Sequence, residues 1–197
     1  MALERTSQHD RVLVDMDNVM ADFDGAIFEN LKLHDSTVEE RPRNNFLFRG
    51  DYPEYRAVLG TILHAQGYYE NLGIVDGTLE GWELLLRAGY DPTVCSTPLV
   101  TSEYCIPEKK SWLAKKLVPH FGKRVVEGAL FPVNKGEVDG LALVDDAPSI
   151  QGADTATWEQ VVYDRSYNTN VAARYRISRL DDPRLPEYLE RIRHSVS

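Results

Sequence analysis

An α/β fold is predicted for this chain: a parallel, doubly wound sheet with a small helical cap inserted after the first strand. Three observations predict it. Short aliphatic runs alternate with segments of helical period, the rhythm of strand, crossover helix and parallel strand. Two of those runs, at 11–15 and 141–144, end in paired acids, Asp15 with Asp17 and Asp145 with Asp146. Between them, from 35 to about 77, the texture changes to turn residues and clustered aromatics. At 197 residues the chain suits one full core and a modest insertion, not two independent domains. The division that follows is 1–26 with 78–197 as the core and 27–77 as the cap.

The first strand, 11–15, is short and aliphatic, as a buried strand is. A helix follows over 22–33, with Phe23, Ile27, Phe28 and Leu31 on one face. Pro42, Asn44, Asn45, Gly50 and Pro53 then break the chain, while Phe46, Phe48, Tyr52, Tyr55, Tyr68 and Tyr69 crowd the same region. One helix is expected there, over 55–66, ended by Gly67. The rhythm resumes with a helix at 78–88 closed by Gly89, a strand at 92–95, a turn at 96–98 and a helix at 107–117. Strands are expected at 125–131, 141–144 and 159–163, and a tail helix at 186–194. No internal repeat or low-complexity tract interrupts this order.

Composition narrows the function classes. A net charge of −9 argues against coating a nucleic-acid polymer, which needs basic surface. It leaves a small anionic substrate open, because a local group of lysines and helix N-termini can outweigh the global sign. No apolar run is long enough to span a bilayer, and the opening MALERTSQHD has no hydrophobic signal core. Two cysteines, Cys95 and Cys105, do not make a secreted disulfide framework. These features point to a cytoplasmic protein without a membrane partner. The oligomeric state, a homodimer included, stays open.

The paired acids carry the chemistry. A single Asp after a strand is an ordinary turn or helix cap. Two pairs at the same kind of position would bring four carboxylates to one sheet edge, where they repel one another unless a cation sits among them. Oxygen donors suit a hard cation such as Mg2+, and that points to phosphoryl chemistry. The run CSTP at 95–98 also follows a strand, and its hydroxyls and N–H groups can hold phosphate oxygens, although Ser/Thr turns are common. Lys135, just before the second acidic strand, supplies a cation to offset a phosphate dianion. A Cys95 nucleophile fails on spacing, because the Arg needed six residues on is Thr101. No HExxH zinc arrangement occurs among the histidines.

The order of these motifs resembles the four-motif signature of the haloacid dehalogenase-like phosphatases, and among them the 5'(3')-deoxyribonucleotidases. DMDNVMADF at 15–23 is similar to that family's DMDGVLADF, CSTP at 95–98 to its CTSP, and YCIPEK at 104–109 to its YCPYEK. Trp112, Lys135, LVDD at 143–146 and Trp158-Glu159 fall in step. The resemblance implies a phosphatase for deoxyribonucleoside 5'(3')-monophosphates. Asp15 would be the nucleophile and Asp17 the acid and base. Mg2+ would be held by Asp15, the main-chain carbonyl of Asp17, and Asp145, with Asp146 close behind. Ser96 and Lys135 would meet the phosphate, assisted by Thr97 and Lys109. Phe23 would stack on the nucleobase, with Phe46, Phe48 and Tyr69 as further walls. Two departures bear on substrate choice: Asn18 stands where the family has Gly, and Ala147 where its DDRP motif has Arg. A response-regulator receiver shares some of these residue types but lacks the second acidic pair. Another small phosphate ester as substrate, or a non-catalytic nucleotide binder on the same fold, are the remaining readings.

Overall fold

The computed structural model describes residues 10–196. The first nine residues, most of the opening segment expected to have no hydrophobic signal core, lie outside the described residues, as does 197. Strand β1 (Arg11–Val14) is buried beyond its first residue, as its aliphatic content requires. After a turn the chain forms the two-residue strand β2 (Ala21–Asp22). Asp22 then caps helix α1 (Phe23–His34), its carboxylate accepting from the Gly25 amide at 3.0 Å. Helix α1 buries Ile27, Phe28 and Leu31. The helical insertion continues through α2 (Phe48–Asp51), a 3-10 turn at Pro53–Tyr55 and α3 (Arg56–His64). It returns as β3 (Gly73–Ile74), which pairs antiparallel with β2. The inserted segment therefore leaves and rejoins the core through adjacent backbone. Phe28, Phe48 and Tyr52 pack inward, with Phe28 and Phe48 ring centroids 5.0 Å apart and Phe48 stacked on Tyr52 at 5.0 Å, while Phe46 stays partly exposed.

Helix α4 (Thr78–Arg87) leads to Gly89 at φ 84, a left-handed turn that glycine adopts without strain. Strand β4 (Asp91–Val94), helices α5 (Cys105–Lys116), α6 (Val118–Phe121) and α7 (Arg124–Glu127), and strands β5 (Ala142–Asp145), β6 (Glu159–Tyr163) and β7 (Tyr175–Ile177) follow, before helix α8 (Leu185–Val196). The five long strands form one parallel sheet in the order β4-β1-β5-β6-β7. Edge position lets β4 carry Pro92, which has no N–H to give a second neighbour. From β1 the chain winds to β4 on one flank, then crosses back to β5 on the other. That reversal leaves a crevice at the carboxyl ends of the central strands.

The segment 125–131 is not a strand. Its Val-Val pair sits in α7, where the Gly128 amide closes a helical turn on the Arg124 carbonyl at 2.9 Å. Only Leu130 joins the sheet, in one bridge to Cys95. The helix expected over 55–66 begins instead as the 3-10 turn at Pro53 and stops at His64. Strand β7 and the β2–β3 pair carry no sequence signal strong enough to predict them. Among the described residues no helix is long and apolar enough to cross a membrane.

Candidate active site

Strand ends bring the acids together. The Asp15 amide bonds the Val144 carbonyl at 2.9 Å and the Cys95 amide bonds Val14 at 2.9 Å, so β4, β1 and β5 end side by side. Asp15, Asp145 and Asp146, all buried, each present a carboxylate oxygen within 4.8 Å of the others. Lys135 reaches between them, its Nζ 2.7 Å from Asp15 and 2.6 Å from Asp145. A 3-10 turn at Lys135–Glu137 carries this lysine. Asn134 caps the turn through the Gly136 amide, and Trp158 Nε1 holds the Lys135 carbonyl at 3.1 Å. Gly136 has no room for a side chain, since a Cβ there would stand 2.5 Å from the Gly152 carbonyl oxygen.

Burial sets the electrostatics. Desolvation works against the Lys135 ammonium, but Asp145 and Asp15 more than offset it and hold its proton. Asp145 is raised above the ordinary aspartate range by burial, against the pull of Lys135. Asp146 is raised well above it, by burial and then by the charges of Asp145 and Asp15. Asp17, turned aside from these three, is also raised by burial, although Lys109 Nζ contacts its Oδ2 at 2.7 Å. Asp17 Oδ1 is buried without a hydrogen-bond partner. Lys109 comes from the buried side of α5 and donates also to Ser96 Oγ at 2.8 Å.

Above the acids lies a cavity of about 750 Å³, within the range of small-molecule sites. Its floor includes Asp15, Asp17, Lys135, Asp145 and Asp146, with Ser96 and Thr97 at one side. Phe23, Phe46 and Phe48 stand in its wall. Two expected residues lie elsewhere. Lys109 is fully buried behind Ser96 and does not face the cavity. Tyr69, expected in the base pocket, is buried against Lys109, ring centroid 5.7 Å from Nζ, and donates its hydroxyl to the Leu63 carbonyl. Leu59, Leu63 and Arg43 line the wall instead. Cys95 is fully buried and does not line the cavity, and burial pushes its thiol up to about 12, against a role as thiolate nucleophile.

Sequence reasoning missed the residues that brace the site from distant loops. The Tyr167 hydroxyl donates to Asp146, Asn168 Nδ2 holds the Asp146 carbonyl at 2.8 Å, and Arg165 donates to the Asn18 carbonyl. Only the family's WE pair pointed toward this region. Arg43, 4% exposed, pairs with Asp24 at 2.7 Å. An Arg in a Pro- and Asn-rich stretch gave no signal of that.

A scan against protein-family models finds no match. Individual relatives are informative. The "Putative 5'(3')-deoxyribonucleotidase" of Bordetella bronchiseptica is 33% identical over 170 residues, spanning 84% of this chain and 89% of that one. The human "5'(3')-deoxyribonucleotidase, cytosolic type" is 27% identical, over 82% of this chain and 83% of that one. Among solved structures, a haloacid dehalogenase-like hydrolase from Deinococcus radiodurans, with bound phosphate and sodium, superimposes with a TM-score of 0.54. That match covers 93% of this chain and 96% of the other at 14% identity, and so speaks to the fold alone. An Entamoeba histolytica hydrolase of the same fold gives 0.51. The strand-end acids, the sheet order and the identity to near full-length relatives agree: this chain belongs to the 5'(3')-deoxyribonucleotidase family of haloacid dehalogenase-like hydrolases.

Proposed function

We propose that the chain is a Mg2+-dependent phosphomonoesterase that dephosphorylates deoxyribonucleoside 5'(3')-monophosphates through a phosphoryl group carried on Asp15. One observation carries the reading: Asp15, Asp145, Asp146 and Lys135 meet at the floor of a cavity walled by Phe23, Phe46 and Phe48. The names of the relatives support a nucleotide as substrate.

The donor set fits a divalent cation. Three carboxylates, Asp15, Asp145 and Asp146, meet around one ammonium group, that of Lys135. The excess of two negative charges is what one divalent ion balances, and oxygen donors favour Mg2+. Asp15, Asp145 and Asp146 would hold it, with the main-chain carbonyl of Asp17. When bound, Mg2+ withdraws charge from the phosphoryl oxygens.

The chain's own groups do the rest. An Asp15 oxygen bonds to phosphorus as the ester P–O bond breaks, and Asp17 gives its proton to the leaving sugar oxygen. Burial keeps that proton on Asp17 to a higher pH than an exposed aspartate would. Water then attacks phosphorus, Asp17 takes a proton from it, and the Asp15 carboxylate is restored as phosphate departs. Ser96, Thr97 and Lys135 offer donors to the equatorial oxygens, where charge collects. Lys109 sets the positions of Asp17 and Ser96. Phe23, Phe46 and Phe48 supply aromatic surface for the base, worth about 1–3 kcal/mol per stacked base. The cap, taken as 27–77, keeps bulk water from the acyl phosphate. A cytoplasmic setting accords with this reading.

A panel of deoxyribo- and ribonucleoside monophosphates, assayed for phosphate release with and without Mg2+, tests it. Release from deoxynucleotides that requires Mg2+ is the expected result. Release only from unrelated esters would replace the nucleotide, and none at all would leave a nucleotide-binding protein.

A further inference from the structure

The loop that carries Phe46 contains no helix or strand between His34 and Phe48, yet it is tied firmly to the core. The tie starts at the acids. The Tyr167 hydroxyl donates to Asp146 and accepts from Asn18 Nδ2 at 3.2 Å. The same Nδ2 lies 3.0 Å from Asp24 Oδ1, and Asn18 Oδ1 accepts the Asp24 amide at 3.0 Å. The Asp24 carboxylate holds the Arg43 guanidinium by two bonds, of 2.7 and 2.9 Å. Arg43 then donates to the Asn45 carbonyl at 3.1 Å and the Phe46 carbonyl at 2.6 Å. Its guanidinium carbon lies 4.2 Å from the Tyr167 ring centroid and 5.1 Å from that of Phe48. Phe46 sets its ring edge to Tyr167 at 5.7 Å.

Asn18 is the unusual link. Its φ of 60 lies in the left-handed region, where glycine is at ease and Asn is among the least strained of other residues. The related motif carries Gly there, which would satisfy the backbone but reach neither Asp24 nor Tyr167. An amide kept in that conformation, with both its ends bonded, has a task beyond the turn.

We propose that Asn18, Asp24 and Arg43 form a positioning relay that fixes the Phe46–Phe48 wall relative to the acid cluster, and so selects the nucleoside portion of the substrate. The relay rests on the phosphatase reading above. The guanidinium fork makes two parallel bonds to Asp24 that a lysine cannot reproduce. Loosening it should therefore affect recognition of the nucleoside more than phosphoryl transfer.

The test compares kcat/KM for a deoxynucleoside monophosphate with kcat/KM for p-nitrophenyl phosphate, in the full chain with Mg2+. Four proteins are needed: the unaltered chain, Asn18→Gly, Arg43→Lys and the double variant. The nucleotide-to-aryl ratio is expected to fall about tenfold in Arg43→Lys, through a higher KM for the nucleotide, and about threefold in Asn18→Gly. Because both act through Asp24, the double variant should be no worse than Arg43→Lys by more than about twofold. Parallel losses on both substrates, or fold-changes that multiply in the double variant, overturn the relay. Should Arg43→Lys fail to fold, Asn18→Gly decides alone, since glycine keeps the turn unstrained; an unchanged ratio there overturns it. An unaltered chain that hydrolyses the aryl phosphate and no nucleotide would instead sink the functional reading, and the relay with it.

Discussion

Asp15 and Asp17 are two residues apart and have different neighbours, a difference that suits the two roles proposed for them. Asp15 faces Lys135, Asp145 and Asp146, while Asp17 turns to Lys109 and keeps one oxygen without a partner. Asp17 also lines the cavity, where a leaving group or a water would meet its carboxyl group. Asp15→Asn is expected to abolish phosphate release while far-UV circular dichroism shows the fold intact. Asp17→Asn should slow release by about 10²–10⁴-fold, the usual contribution of a positioned acid and base, with phospho-enzyme building up when the leaving group is good. Cys95→Ser, by contrast, is expected to leave kcat within about twofold, because a thiol pushed up to about 12 supplies no thiolate at neutral pH. A large loss there would return the cysteine to the chemistry.

Helix α5 serves both the site and the cap. Through Lys109 it reaches Asp17 and Ser96; through the adjacent Glu108 it accepts the Gly67 amide at 2.5 Å and the Tyr69 amide at 3.0 Å. Glu108 is buried, so removing its carboxylate leaves two backbone donors without a partner. Each such group costs about 1–3 kcal/mol. Glu108→Ala is therefore expected to lower the urea midpoint by an amount equivalent to about 2 kcal/mol or more, with Glu108→Gln less affected; an unchanged midpoint would show that the carboxylate does not brace the cap. The helix was legible, expected over 107–117 and found at Cys105–Lys116, but its double role was not. The motif at 104–109 put Lys109 beside the phosphate, but only tertiary structure sets it on Asp17 and Ser96, and Glu108 on the Gly67 and Tyr69 amides. Among strands, the aliphatic runs at 11–15 and 141–144 were legible because burial on both sheet faces demands them. The Val-Val pair at 125–126 misled, since Gly128 ends that segment as a helical turn.

At the scale of the molecule, the site's floor was readable and its bracing was not. Strand ends put Asp15 and Asp145 at one edge by topology alone, so their order along the chain carried the geometry. Arg43 and Tyr167 meet across loops with no regular period, and the Asn18–Tyr167 contact spans 149 residues. The acid cluster also shapes stability. Asp17, Asp145 and Asp146 all lie above the ordinary aspartate value of 3.8, chiefly through burial. The folded chain then binds these protons more tightly than the unfolded one, so metal-free stability falls as pH rises from 3.8 through the raised values. Mg2+ should oppose that loss and, at 100 times its dissociation constant, add about 2.7 kcal/mol. Urea unfolding from pH 4 to 7, with EDTA and with Mg2+, reads the difference; matching slopes would mean that the acids hold no cation. The central claim, that Asp15 carries the phosphoryl group, is met most directly by acid-quenching the enzyme during turnover of a deoxynucleotide and locating the adduct by peptide mass spectrometry. A phosphoryl group on Asp15, absent in Asp15→Asn, is the predicted result; steady turnover with no adduct, or an adduct on another residue, would contradict it.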